Sequence, residues 1–274
     1  MLERLVDINI AGEKEVLTTP QQLWDEFPLD KSIKDFVYEG RQQVNSILDG
    51  TDTNNRLLMI VGPCSIHDPE EALEYARLLK PLADQVQDKM LVVMRTYFEK
   101  PRTRIGWRGI LYDPQMDNSA NIEEGMRLSR QLLLDIAKIG LLTATEFLSD
   151  DAAQFYGGLI SYASIGARTI ESPNHRHFPS GLSMAVGMKN GTCGSIDKAL
   201  DAVITARNPN TFIGPDENGQ TCKIPTKGNA YAHMILRGGT DGPNYDQESV
   251  DYALRILRRE DIGTGLVIDA SHAN

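Results

Sequence analysis

From Arg56 onward the chain repeats one pattern: a short apolar run ending in glycine or a charged residue, a polar loop, and an amphipathic stretch. The apolar runs are LLMIVG (57–62), MLVVMRTYF (90–98), LLTATEF (141–147), ASIGART (163–169), SMAVGMK (183–189), AHMILRG (232–238) and GLVIDAS (265–271). They are nearly continuous, with little alternation, as expected of strands buried on both faces of a parallel sheet. Between them the helical signals are explicit. Asp68 is placed to cap a helix that has Pro69 at its first position, acids next, and then Ala72, Leu73, Ala76 and Leu79. Ile196, Leu200, Val203 and Ile204 share one helical face, as do Val250, Ala253, Leu254 and Leu257. One segment breaks the pattern. TFIG, PDENGQ and TCKIPT predict a β-hairpin turning at Asn218-Gly219, an insertion at about 209–228 ahead of the sixth barrel strand.

Seven such units predict a TIM (β/α)8 barrel over 51–274 rather than an open sheet. Residues 1–50 are mixed and polar, with helical stretches in TTPQQLWDEF and KSIKDFVYEGRQQVNSILDG, and read as an N-terminal arm. A closed barrel of this kind needs eight strands. The seventh run lies just before Asn274, so the pattern predicts a barrel incomplete after strand seven. Two open strand edges and uncovered apolar surface lead to the expectation that this chain, made as written, aggregates and is inactive.

Charge and cysteine usage narrow the chemistry. A net charge of −10 argues against a partner such as nucleic acid or an anionic membrane. No run reaches the roughly 18 apolar residues of a membrane span, and MLERLVDINIAGEKE has no apolar signal core. Cys64, Cys193 and Cys222 are odd in number and widely spaced, which does not predict a disulfide framework. A cytoplasmic location is the expectation, with Cys193 and Cys222 as packing residues.

Barrel enzymes carry their active sites at the C-terminal ends of the strands. Standing there in this sequence are Cys64, Arg95, Lys100 with Pro101, Arg102 and Thr103, then Glu146, Ala167 with Arg168, Lys189, Arg237, and finally Asp269 with His272. Six cations on one rim of an acidic protein predict an anion site, since clustered like charge is unfavourable without one. Guanidinium groups suit bidentate capture of phosphate or carboxylate, and ammonium groups act as point charges. Cys64 and His272 offer a thiolate and an imidazole to a divalent metal, although either could equally be a buried or a solvated side chain. His67 could cap or pack as readily as react. His175 and His177, in SPNHRHF, read as loop structure, and Trp107 as a loop filler or a lid over the mouth.

GPCSIHD (62–68), MRTYFEKPRT (94–103), GWRG (106–109), ATEF (144–147), IGARTIES (165–172), SGLS (180–183), KNGT (189–192), ILRGG (235–239), PNYD (243–246) and IDASHAN (268–274) occur in order. Together they resemble the type I 3-deoxy-D-arabino-heptulosonate 7-phosphate (DAHP) synthases, from about residue 10 to the last. The resemblance implies condensation of phosphoenolpyruvate (PEP) with erythrose 4-phosphate, with release of phosphate, at the head of the shikimate pathway. It implies a PEP pocket of Arg95, Lys100, Glu146, the Ala167 N–H, Arg168, Lys189 and Arg237, and an aldose phosphate site at Pro101, Arg102 and Thr103. It also implies Cys64 and His272 as two ligands of a divalent metal (Mn, Fe, Co or Zn), with a Glu and an Asp beyond the SHAN string completing the set. Lys100 becomes the candidate for proton transfer beside PEP.

The arm resembles the segment that family members use for dimer contacts and for feedback by an aromatic amino acid. Tyrosine is the favoured effector, Ser183 a selectivity position, and a homo-oligomer the expected assembly. The alternative for the arm is that it only buries a barrel end. Three departures from the family pattern stand out: the missing carboxylates, Cys193 where KNGTDG carries Asp, and Ala185 where Pro is usual. SPNHRHF likewise departs from a Gln-x-His-Arg-Glu string. Competing functional readings are a Schiff-base aldolase using a Lys189 of depressed pKa, and an inactive fragment.

Overall fold

The computed structural model describes residues 9–263 and 265–274. The first eight residues of the arm therefore lie outside the described residues. Two helices come first, α1 (Pro20–Glu26) and α2 (Lys31–Leu48). They are followed by β1 (Leu57–Val61), α3 (Pro69–Gln85), β2 (Met90–Arg95), α4 (Ile122–Ile139), β3 (Leu142–Glu146), α5 (Ala152–Tyr156), β4 (Tyr162–Ile165), α6 (Pro173–His177), β5 (Ala185–Lys189) and α7 (Ile196–Arg207). The hairpin strands β6 (Thr211–Pro215) and β7 (Thr221–Pro225) precede β8 (Ala232–Gly238), α8 (Gln247–Arg259) and β9 (Val267–Ala273).

The main sheet has seven strands in the order β1-β2-β3-β4-β5-β8-β9, every neighbouring pair parallel. It is an incomplete TIM barrel: among the described residues β1 and β9 do not pair. On these edge strands Leu57 is 62% exposed and Ile268 46%.

The helices start where their caps are. Asp68 accepts hydrogen bonds from the Glu70 and Glu71 N–H groups, with Pro69 at the first helical position, so α3 begins as its cap residue predicts. Gly140, with φ of +90°, closes α4 in the left-handed conformation that favours glycine. In the hairpin, Asp216 Oδ1 accepts from the Asn218 and Gln220 N–H groups while Gly219 takes a φ of +75°, which makes the tight turn. The hairpin tip reaches back to α1, where the Gln21 N–H donates to the Glu217 carbonyl at 2.8 Å. No helix among the described residues is long and apolar enough to cross a membrane.

Strand parity divides the core in two. Met94, Ala163, Ile165, Val186, Met188, Met234 and Leu236 face the surrounding helices. Val93, Leu142, Ala144, Tyr162, Ala185 and Ile235 face the barrel interior. Helix α2 closes the interior from below: Val44 and Leu48 pack into this inner cluster, and a Cβ at Gly40 would collide with Leu142. So the second predicted helix of the arm is the floor of the barrel. Higher up, small and polar residues fill the layer. Any side chain at Gly187 would strike Ile235 and the Tyr162 hydroxyl, and Tyr162 shares a 3.0 Å hydrogen bond with the fully buried His233.

Three local expectations are corrected here. Cys193 is exposed and Cys222 half-buried, so neither is a core packing residue. SPNHRHF is not loop: Pro173 starts the short helix α6, and His175 lies inside it.

Candidate active site

Side chains two residues apart on a strand point to the same face. That rule builds the site. The residues above the inner apolar layer, with the same parity, are Arg95 on β2, Glu146 on β3, Lys189 on β5, Arg237 on β8 and Asp269 on β9. β2, β3, β5 and β9 are thus apolar or small inward at the base and charged inward at the top.

Lys189 is the centre. It is 3% exposed, and its Nζ lies 2.8 Å from Glu146 Oε2 and 3.4 Å from Asp269 Oδ2. Burial alone would lower its pKa, but Glu146, Tyr97 and Asp269 outweigh burial and raise it. The Schiff-base expectation required a depressed lysine, and the geometry overturns that premise. Lys189 is a locked ammonium ion. Asp269 is pushed in the opposite direction: burial would raise its pKa, but the hydrogen bond to His272 Nδ1 (2.7 Å), the Lys189 charge and the Ser271 N–H lower it. Gly166 makes room for Glu146, since a Cβ there would lie 2.6 Å from Glu146 Oε1.

Two guanidinium groups frame this ion-pair cluster with capacity left over. The Arg95 guanidinium sits 3.7 Å over the Tyr97 ring and donates through Nη2 to the Cys64 carbonyl at 3.1 Å. Its Nε is buried with no partner among the described residues, and so is Arg237 Nε. Buried donors without acceptors are unfavourable, which suits a cleft that receives anions. Lys100 Nζ donates to Cys64 Sγ at 3.2 Å on the same side.

One cleft gathers most of the sequence-predicted residues: Pro101, Glu146, Ala167, Arg168, Lys189, Arg237 and His272 line it together with Leu148, Gly166, Thr169 and Thr192. Arg102 and Thr103 are exposed and do not line it. Arg102 Nε instead donates to the Trp107 carbonyl of its own loop at 2.6 Å. Trp107 holds that loop through its indole N–H to the Asp113 carbonyl, at 2.7 Å. His67 stands apart, 3.5 Å from Glu71 on the surface. Ser183 lies elsewhere, in a cleft it shares with Trp24 and Arg41 of the arm.

The sequence pattern did not disclose three asparagines that pin the rim. Asn190 Oδ1 accepts from the Arg237 N–H at 2.8 Å, and its amide donates to the Gly238 carbonyl at 3.0 Å. Asn244 Oδ1 accepts from the Gly238 N–H at 2.7 Å. Asn274 accepts from the Asn244 N–H and donates to the Leu236 and Asp269 carbonyls. Their only prior signal is membership of the KNGT, PNYD and SHAN strings.

A metal is a separate question. Cys64 and His272 supply thiol and imidazole donors, with Nδ1 of His272 already engaged by Asp269. Two donors fall short of the three or four that hold a catalytic or structural zinc-type ion. No group of three or more His, Cys, Asp or Glu residues is placed to bind a metal among the described residues. Among the described residues, Cys64 and His272 alone do not complete a metal site.

The model of the DAHP synthetase I family matches residues 30–274. A Tyr-sensitive phospho-2-dehydro-3-deoxyheptonate aldolase from Salmonella typhimurium is 45% identical over 272 residues, 99% of this chain and 75% of the relative. A Trp-sensitive one from Escherichia coli O157:H7 is 45% identical over 260 residues, 95% of this chain and 74% of the relative. The solved structure of a phospho-2-dehydro-3-deoxyheptonate aldolase from Francisella tularensis SCHU S4 superposes with a TM-score of 0.94 at 44% identity, covering 96% of this chain and 77% of that one. With the strand-end cations gathered on one rim and a family match across nearly the whole chain, the protein belongs to the DAHP synthetase I family.

Proposed function

We propose that this protein condenses phosphoenolpyruvate with erythrose 4-phosphate and one water to give DAHP and inorganic phosphate, the entry reaction of the shikimate route to aromatic amino acids. The observation that carries the reading is the Lys189 ammonium ion, held by two carboxylates and flanked by Arg95 and Arg237, each with an unused buried N–H. Phosphoenolpyruvate brings a carboxylate and a phosphate, and this side of the cleft supplies fixed positive charge for both. Arg168 and Ala167, on the loop after β4, line the same cleft.

As the carbon–carbon bond forms and phosphate departs, negative charge gathers on the phosphate oxygens. Preorganised guanidinium and ammonium groups stabilise it without having to reorient. Lys100 moves a proton beside the reacting carbons, within reach of Cys64 and on the same rim as Arg95. Pro101, Arg102 and Thr103 receive the aldose phosphate, with Arg102 turning away from the Trp107 carbonyl to do so. Cys64 and His272 are the donors this chain offers to a divalent metal, which supplies Lewis-acid chemistry when bound. No step is assigned to it. The test is direct: incubate the protein with both substrates and assay DAHP and phosphate. Product in equal amounts supports the reading, and absence of both product and PEP binding overturns it.

A second site fits feedback control. Ser183 shares a cleft with Trp24 and Arg41, so an arm that also floors the barrel contributes to a surface distinct from the anion cleft. An aromatic amino acid is the proposed effector, tyrosine first. Titrating tyrosine, phenylalanine and tryptophan against activity checks it, and indifference to all three removes the idea.

A further inference from the structure

We propose that Glu99 and His175 are positioning residues that grip Leu148 from both sides and so align the Lys100–Arg108 loop with the loop carrying Arg168. The proposal rests on the reading of the cleft as the condensing site, and its geometry is local and complete. Glu99 is 1% exposed. Its Oε2 accepts from the Leu148 N–H at 3.0 Å, and its Oε1 from the Ser149 N–H at 3.1 Å and the Tyr112 hydroxyl at 3.2 Å. On the other side of the same residue, His175 Nε2 donates to the Leu148 carbonyl at 2.8 Å. That bond needs a proton on Nε2, and Nδ1 lies within hydrogen-bond distance of Ser172 Oγ at 3.1 Å. Both backbone groups of one cleft-lining residue are therefore held by ionisable side chains, one from the loop after β2 and one from helix α6.

Each jaw is itself anchored to a substrate loop. Glu99 immediately precedes Lys100, whose N–H donates to the Arg108 carbonyl at 2.8 Å and closes the loop at its base. Gly109, with φ of +109°, lets the returning strand of the loop sit where a Cβ would collide with the Phe98 carbonyl. Helix α6, which bears His175, is tied back towards Arg168 by Arg176 Nε donating to the Ile170 carbonyl at 2.7 Å.

A buried carboxyl is a poor choice for mere filling, because ionising it without a cation beside it is unfavourable. Burial raises the Glu99 pKa against the pull of the Leu148 and Ser149 N–H groups and the Tyr112 hydroxyl, and with the Glu146 charge the balance leaves it at about 7. The ionisable groups facing it are thus Tyr112, Glu146 and Tyr156, with His175 behind Leu148. An acceptor-only carboxylate satisfies all three donors, whereas a protonated one must turn its own O–H towards a donor. The grip is tightest above neutral pH and loosens below it.

The test reads loop order without relying on catalysis. Arg102 and Arg104 are exposed trypsin sites within the loop, and Lys223 in the hairpin is an exposed site far from it. In Glu99→Gln, cleavage after Arg102 and Arg104 relative to cleavage after Lys223 is expected to rise at least fivefold at pH 8. In the wild type the same ratio is expected to climb as pH falls from 8 to 6, and in the variant to stay flat. Catalytically, kcat/KM for the aldose phosphate is expected to fall at least tenfold. His175→Ala releases Leu148 from the other side and is expected to raise the cleavage ratio as well, which keeps the test available should the Gln variant fail to fold. An unchanged ratio in both variants, or a wild-type ratio independent of pH, overturns the clamp. If the wild type forms no DAHP, the reading of the site fails, and the cleavage ratio still decides the clamp.

Discussion

The two halves of the cleft are held by different means. On the β5–β8–β9 side every functional group rises from a strand, and the backbone between them is tied by Asn190, Asn244 and Asn274. Lys189 and its two carboxylates are largely out of solvent. On the β2 side, Lys100, Pro101, Arg102 and Thr103 ride on a loop whose residues from 102 to 106 are all exposed. The difference separates holding from admitting. The rigid half can fix a small dianion with donors that need no reorganisation, while the loop half has room to move for a longer second substrate. Rigid, prepaired electrostatics acts before the substrate arrives; loop-borne charge must be ordered by it.

The sharpest way to break that contrast is to remove its centre. Lys189→Met leaves Glu146 and Asp269 facing each other, buried and without their cation. Losing one member of a buried charge cluster costs about 3–5 kcal/mol, and DAHP formation should fall by at least about a thousandfold with the loss of a desolvated charge. Urea unfolding and a product assay measure the two. A variant as stable as the wild type would show that the cluster is not held as tightly as the strands imply.

The next effect tests the layer beneath. His233 is fully buried, its pKa brought down to about 4 chiefly by burial, while its hydrogen bond to the Tyr231 carbonyl pushes the other way. Its unfolded value is near 6.5. The folded chain therefore binds fewer protons than the unfolded one between those values, so stability is present above pH 6.5 and is lost as pH falls towards 4. The span corresponds to about 3 kcal/mol. His233→Gln should flatten that part of the curve of melting temperature against pH. Identical curves for the two proteins would mean that the imidazole is not the buried neutral base that the Tyr162 bond requires.

The asparagines come third. Asn190→Ala frees the Arg237 N–H and the Gly238 carbonyl at once, at about 2 kcal/mol for buried partners left unmet. Arg237 should then lose its alignment, raising the KM for PEP about tenfold while leaving that for the aldose phosphate nearly alone. Equal changes in both would place Asn190 in general stability rather than on one half of the site.

What could be read beforehand follows the same division. The barrel was legible because parallel strands covered on both sides must be continuously apolar, and all seven runs became strands. Strand ends were legible as candidate positions because barrel geometry puts them on one rim, and Glu146, Lys189 and Arg237 line one cleft there. Pairing was not legible. Nothing in a linear string says that Lys189 meets Asp269, 80 residues on, and without that pairing a lysine in a barrel reads as a depressed nucleophile. The asparagines carried no signal of their own, since Asn favours turns for reasons unrelated to a rim. Helix α2 read as part of an N-terminal arm, with burial of a barrel end as the alternative, because amphipathicity shows that a face is buried but not against what. Cys193 read as packing from the habits of its residue type, and the loop that carries it places it in solvent.

The smallest expected effect sits on the loop half, and it sharpens the comparison most. Arg102 is exposed, and its Nε donates to the Trp107 carbonyl of the same loop. Arg102→Ala should leave the melting temperature where it is, because no buried group loses a partner. If the loop half admits the aldose phosphate, the KM for that substrate should rise roughly tenfold, the equivalent of one charge-assisted contact near solvent. The KM for PEP should stay put, and the aldose effect should shrink as salt is added, because an exposed charge is screened where a buried one is not. Steady-state kinetics at low and high ionic strength measures all three. A rise in the KM for PEP instead would put Arg102 with the rigid half, and a fall in melting temperature would show the loop to be as tightly built into the fold as the strands it connects.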